Sequence, residues 1–246
     1  IDLEDAVPHA EKKAARENLL RFIQSEPEAN YQIFTRVNPI ASEHFEKDIQ
    51  AVPPQISGIV IPKVNTANDL VKAKETLKRN SVTVNILVGI ETVKGLTSVN
   101  EIFAMESVTG AYFGAEDYIH DLGGVRTQTN NEVLFARTQL GISSRLFGVP
   151  VVDQIVTDFS DNERFIREAQ EAKSLGFAGK LCIHPSQVPL ANESFSPTQE
   201  EIARARKLLE IYERAISQGT SAAVFDGQMI DEALAKQARR VLNIIE

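Results

Sequence analysis

A TIM-type (β/α)8 barrel of the α/β class is the fold this sequence predicts, and three observations carry the prediction. Short runs rich in Val and Ile alternate with longer amphipathic stretches as far as about residue 190, the pattern of a parallel sheet covered by helices. Almost every run ends in a charged or reactive residue: Asp5, Arg36, Lys63, Glu91, Asp117, Asp153 and His184. Their spacings are 31, 27, 28, 26, 36 and 31 residues, each close to one βα unit. In a closed parallel barrel all seven would open onto the C-terminal mouth, where barrel enzymes place their chemistry. Seven units are one short of eight, so the first βα unit is expected to be missing from this chain, which opens directly at Ile1.

In chain order, strands are expected over residues 1–6, 31–38, 58–64, 85–92, 110–117, 149–156 and 179–184. Several lack polar alternation, as strands buried on both faces should. Pro8 suits a first helical turn, Thr66-Ala67-Asn68-Asp69 resembles a capping box, and Ser196-Pro197-Thr198-Gln199 reads as a stronger one. Gly176 and Gly219 stand where C-terminal caps belong. After Ser196, residues Ile202, Leu208, Leu209, Tyr212 and Ile216 define one apolar helix face. Residues 220–231, small and glycine-bearing, read as a mobile connection to a last helix over 231–245. The expected division is a catalytic barrel over 1–219 and a C-terminal lid segment with its helix over 220–246.

Composition narrows the function. The chain has 246 residues, 43% of them apolar, and carries 34 acidic against 26 Lys and Arg residues, a formal charge of −8. That balance argues against a general nucleic-acid binder, which needs basic patches. No apolar run approaches the roughly 18–20 residues that cross a bilayer. Cys182 stands alone, which rules out an internal disulfide, and with no signal-peptide pattern the expected location is the cytoplasm. A phosphate-cradling glycine loop, a Gly-x-Ser-x-Gly elbow and a zinc pattern are all absent from the sequence.

The strand ends point to metal and carboxylate chemistry. Glu91 and Asp117 close consecutive strands, and neighbouring strands lie roughly 4.8 Å apart, so the two carboxylates can share one hard cation such as Mg²⁺. The alternative partner for Glu91 is Lys63 or Arg36. Gly114-Ala115-Glu116-Asp117-Tyr118, followed by Gly123-Gly124, offers backbone that a ligand can approach closely. Arg36 sits inside an apolar strand and must be paired. Its planar fork suits the carboxylate of a substrate, with Glu4 or Asp5 as the internal alternative. Lys63, Glu4, Asp5 and Asp153 are expected to support these groups from behind. His184 reads as a structural hydrogen-bonding residue and Cys182 as a small apolar one. His9, His44 and His120 read as solvent-facing or locally bonded, and no His pair has metal-ligand spacing.

These residues resemble the citrate lyase β-subunit and malyl-CoA lyase family. The matching pieces are Asp2-Leu3-Glu4-Asp5-Ala6-Val7 with Lys12 or Lys13 and Arg16, Arg36-Val37-Asn38, Ile61-Pro62-Lys63, Glu91-Thr92, and Gly114-Ala115-Glu116-Asp117-Tyr118. Further along come Gly179-Lys180, Ile183-His184-Pro185, and Gly227-Gln228-Met229-Ile230-Asp231, so the match runs the length of the chain in order. The resemblance implies a Mg²⁺-dependent (β/α)8 barrel in which Glu91 and Asp117 are the metal ligands and Arg36 binds the oxo- or hydroxy-acid. It makes Asp231 a catalytic residue on a C-terminal lid, which in related trimers reaches into a neighbouring subunit's site. Two departures stand out: the family's first strand, which contributes to coenzyme A binding, is absent, and Gly227-Gln228 replaces a common Gly-Lys.

The implied activity is retro-Claisen cleavage of a citryl-, malyl- or citramalyl-CoA-like thioester to acetyl-CoA and a keto acid. Alternatives are a thioesterase on the same CoA esters, a β-subunit of a citrate lyase complex acting on a carrier-protein thioester, or a barrel that only binds. A lid that completes a neighbouring site implies a homo-oligomer, trimeric or hexameric.

Overall fold

The computed structural model describes residues 1–25 and 31–243. Six short parallel strands form one sheet: β1 (Phe34–Arg36), β2 (Gly58–Ile61), β3 (Asn85–Ile90), β4 (Val108–Phe113), β5 (Val151–Asp153) and β6 (Gly179–Lys180). They pair strictly in sequence order, the order of strands in a (β/α)8 barrel. Asp2 adds a parallel bridge to Arg36 outside β1, so every position read as a strand carries sheet pairing in the expected order. The elements are shorter than expected because pairing stops where each chain turns away towards its helix.

Helices α1 (Lys12–Ser25), α2 (Phe45–Gln50), α3 (Ala67–Arg79), α4 (Val93–Thr97), α5 (Val99–Phe103), α6 (Ala115–Leu122), α7 (Asn131–Phe147) and α8 (Asn162–Ser174) fill the connections, with a 3₁₀ turn at His9–Glu11. Ile59, Ile61, Val88, Ile90, Ala111, Phe113 and Val151 are fully buried, which explains the unalternating Val and Ile runs. The Thr66 amide donates to Asp69 at 2.9 Å, completing the first expected capping box. Gly176 closes α8 at φ +92°, a conformation that favours glycine.

The chain divides into two compact units, the first being Ile1–Gln187 and the second beginning at Val188. The second holds most of α9 (Gln187–Phe195), and α10 (Gln199–Ser217), β7 (Ala223–Phe225), β8 (Gln228–Ile230) and α11 (Glu232–Asn243). Its core is Leu208, Tyr212, Phe225, Ile230, Ala235 and Ala238. Two expectations are corrected here. The capping box of α10 is Thr198 with Glu201, not Ser196 with Gln199, because the helix starts only after Thr198. Within residues 220–231, Ala223–Phe225 and Gln228–Ile230 pair as an antiparallel hairpin where the sequence reading has a connection without regular structure. Asp226 and Gly227 take φ +48° and +73°, and this Asp-Gly turn fits the twist of a hairpin. On α10, Ile216 faces solvent although its spacing matched the apolar face. The expected last helix extends to residue 245, and its final two positions lie outside the described residues.

Candidate active site

The register of β3 on β4 builds the centre of the site. Gly89 pairs with Tyr112 and Ile90 with Phe113, so Glu91 emerges beside Gly114. Side chains two apart share a face, which puts Glu91 over Gly89 and next to Tyr112. The Tyr112 hydroxyl donates to Glu91 Oε1 in a short hydrogen bond, and the Lys63 amide donates to the same oxygen at 3.4 Å. Both glycines exist for space. A Cβ on Gly89 would lie 2.2 Å from Glu91 Oε1, and one on Gly114 would lie 2.6 Å from Glu91 Cγ.

Asp117 does not close a strand, as the spacing suggested. It stands in the first turn of α6, three residues beyond Gly114, and approaches Glu91 from the helix. The two expected metal ligands are nevertheless brought together. Burial and the adjoining Asp117 carboxyl push the Glu91 pKa up to about 8.

Around this pair lies an ionic cluster. Lys63 Nζ donates to Glu4 Oε1 at 2.8 Å and Asp5 Oδ2 at 3.0 Å, and lies 3.4 Å from Asp117 Oδ2. Burial lowers the Lys63 pKa, but these carboxylates outweigh it and hold the ammonium above its usual value. Lys63 takes the left-handed conformation at φ +52°, rare for a residue with a Cβ, to aim its side chain there. Arg36 Nε and a terminal nitrogen donate to Asp2 at 2.9 and 2.5 Å, and the other terminal nitrogen lies 3.0 Å from Glu4 Oε2. The partners of Arg36 are thus Asp2 and Glu4; Asp5 belongs to Lys63. Buried Lys12 donates to the Leu3 and Glu4 carbonyls at 2.7 Å each and pins this acidic segment in place.

The cluster fits a divalent cation. Five carboxylates, Asp2, Glu4, Asp5, Glu91 and Asp117, face two cationic side chains, Arg36 and Lys63. Buried Glu4 Oε2 has a cation nearby but no hydrogen-bond partner. Oxygen donors in excess of positive charge are what Mg²⁺ demands.

Other expected residues fall elsewhere. Asp153 is fully buried in a separate network, accepting from Arg137 at 3.0 Å through each oxygen and from Lys180 at 3.1 Å. His184 bonds Ser186 at 2.8 Å and stacks on Phe159, and Cys182 is half-buried. Asp231, in the second unit, caps α11 by accepting from the Ala233 and Leu234 amides at 2.9 and 3.2 Å. Sequence reading missed Tyr112 and Asp2. Tyr112 sits on the same sheet face as Glu91, and Asp2 opens the acidic Asp2-Leu3-Glu4-Asp5 segment, but neither signal names its partner.

The site can now be set beside known proteins. Residues 1–185 match the model of the HpcH/HpaI aldolase/citrate lyase family, and residues 134–243 match that of a C–C bond lyase of the TIM-barrel fold. A citrate lyase subunit beta-like protein from Deinococcus radiodurans is 43% identical over 249 residues, 99% of this chain and 87% of the relative. Citrate lyase subunit beta of Escherichia coli K12 is 34% identical over 255 residues, 100% of this chain and 84% of the relative. Among solved structures, CitE from Mycobacterium tuberculosis in complex with magnesium, acetoacetate and coenzyme A superposes with a TM-score of 0.84 at 28% identity, covering 99% of this chain and 88% of the other. By fold, by the order of its motifs and by identity along its full length, this chain belongs to the HpcH/HpaI aldolase/citrate lyase family.

Proposed function

We propose that this chain is a Mg²⁺-dependent carbon–carbon lyase that cleaves a 3-hydroxy-carboxyacyl-CoA thioester of citryl-, malyl- or citramalyl-CoA type. The observation that carries the reading is the convergence of Glu91 and Asp117 beside Arg36 in a cluster with more carboxylates than cations. The magnesium and coenzyme A named for the CitE structure agree with it.

Glu91 and Asp117 hold Mg²⁺, which when bound supplies Lewis-acid polarisation of the substrate's oxygens. Tyr112 fixes the Glu91 carboxyl from behind. Arg36, oriented by Asp2 and Glu4, offers the substrate carboxylate the terminal N–H donors that those pairs leave over. The substrate hydroxyl releases its proton to solvent, its oxygen becomes the carbonyl of the keto acid as the bond between the hydroxyl carbon and the thioester α-carbon breaks, and the electron pair passes to the thioester as an enolate. Asp231 on the lid of a neighbouring copy would return a proton to that carbon as general acid.

Full-length identity to citrate lyase subunit beta favours a second reading, a subunit of a complex whose acyl carrier is a protein. A homo-oligomer is supported by the exposed apolar stripe Phe135, Ile142 and Leu146 along α7. Sedimentation of Phe135→Glu against the parent chain checks this, and an unchanged assembly would exclude that face. Among the described residues no helix is long and apolar enough to cross a membrane. A lone, half-buried cysteine suits the cytoplasm.

The deciding experiment incubates the protein and Mg²⁺ separately with malyl-CoA, citramalyl-CoA and citryl-CoA, following free thiol and keto acid in parallel. Keto acid with the thioester intact establishes the lyase and names its substrate. Free coenzyme A without keto acid replaces it by a thioesterase, and silence on all three points to the carrier-protein substrate.

A further inference from the structure

His44 was expected to be solvent-facing or locally bonded, and it is neither. It is only 8% exposed, yet neither ring nitrogen has a hydrogen-bond partner. Buried polar atoms are nearly always satisfied, so a wholly unpartnered imidazole calls for a ligand. Two further donor groups stand against it. One nitrogen of His9, one of His44 and one Glu43 carboxylate oxygen all lie within 4.8 Å of one another. The His9 and His44 rings meet edge to face with centroids 4.7 Å apart, and His9 Nε2 lies 3.5 Å from Glu43 Oε1.

We propose that His9, Glu43 and His44 form a binding site for a first-row divalent transition ion of the zinc class, separate from the Glu91 and Asp117 centre. Two imidazole nitrogens and one carboxylate oxygen are a zinc donor set with a fourth position open to water, whereas Mg²⁺ prefers oxygen ligands. Burial holds the His44 pKa down against the raising effect of Glu43, the direction that favours a ring lone pair free for a ligand. Lys47 occupies Glu43 Oε2 at 3.3 Å and leaves Oε1 facing His9.

The geometry closes with small movements. Zinc bonds of about 2.0–2.1 Å place tetrahedral ligand atoms about 3.4 Å apart, so the donors must draw in by about 1.4 Å at most. His9 and Glu43 are exposed and free to do so around the buried His44. The three donors come from two loops, one running from the Asp2 bridge into the 3₁₀ turn and one running from β1 into α2. An ion there would tie the loop following Glu4 and Asp5 to the loop following Arg36.

The test is calorimetric titration of the full chain with ZnCl₂ in saturating MgCl₂, with Co²⁺ absorption in the visible as a second readout. One equivalent of zinc is expected, together with the strong visible band of low-coordinate Co²⁺. His9→Ala, a change at the surface, should weaken zinc binding at least about tenfold and abolish that band, and His44→Ala should do the same. Glu91→Gln should leave both signals unchanged. Absence of zinc binding in saturating Mg²⁺, or equal binding by His9→Ala, would overturn the site. Loss of the zinc signal in Glu91→Gln would assign the ion to the Mg²⁺ centre instead.

Discussion

Asp2 and Arg36 are joined twice, by a parallel backbone bridge and by a two-point side-chain pair in which Arg36 donates to both Asp2 oxygens at 2.9 and 2.5 Å. The residue expected to bind substrate is therefore held in orientation before substrate arrives, and it meets the substrate with a fixed planar edge. Preorganisation of this kind removes the entropy of ordering a long side chain on binding.

Arg36→Lys should keep the charge but lose the fork. Charge-assisted hydrogen bonds are worth about 1.5–3 kcal/mol, so kcat/KM should fall by about 10–150-fold. Mg²⁺ affinity should stay at the parent value. A variant with unaltered kcat/KM would remove Arg36 from substrate binding.

Gly114→Ala places a Cβ 2.6 Å from Glu91 Cγ and 2.9 Å from Cδ. The side chain of Glu91 must shift, at a cost of about 1–3 kcal/mol in stability. Because that shift moves a metal ligand, Mg²⁺ binding should weaken much more than the melting temperature drops. Equal Mg²⁺ titrations for variant and parent would show that Glu91 is not a ligand.

Asp231→Asn separates chemistry from folding, because Asn caps a helix as well as Asp does. Folding and Mg²⁺ affinity should be retained, while loss of the general acid should cut kcat about 10²–10⁴-fold. If Mg²⁺ binding vanished instead, the metal site would be misassigned.

Acid stability should depend on Glu168. This carboxylate is buried and accepts from Arg164 at 2.7 Å, with Lys180 at 3.3 Å. Burial raises its pKa, but Arg164 and Lys180 outweigh that and hold it below the ordinary carboxylate value. A lowered folded pKa contributes stability above the unfolded value of about 4.3, lost as pH falls through the folded one. Glu168→Gln should therefore flatten the acid limb of a denaturation-against-pH profile and cost about 3–5 kcal/mol at neutral pH. An acid limb as steep as the parent's would place the titrating group elsewhere.

Much of the architecture was legible because it rests on local chemistry. Val and Ile runs spaced by one βα unit imply parallel strands, and Thr66 with Asp69 and the glycine at 176 behave as caps wherever such helices form. The Asp226-Gly227 dipeptide is a turn signal, but the small residues around it read as a connection, and the hairpin there appears only in the structure. Pairings were not legible. The internal partners expected for Arg36, beside a substrate carboxylate, are Glu4 or Asp5, and the structure pairs it with Asp2 and Glu4, while Asp153, in register with the site residues, turns to Arg137 and Lys180.

The order of the strands, the residue types at their ends and the excess of acidic groups among them follow from the sequence alone, because they depend on period and composition. Which carboxylate meets which cation depends on strand register and helix entry, which are set by packing over distances the sequence does not express. That is why Asp117 approaches from α6 rather than a strand end, why Tyr112 holds Glu91, and why His44, an ordinary polar residue in the sequence, is buried against His9 and Glu43.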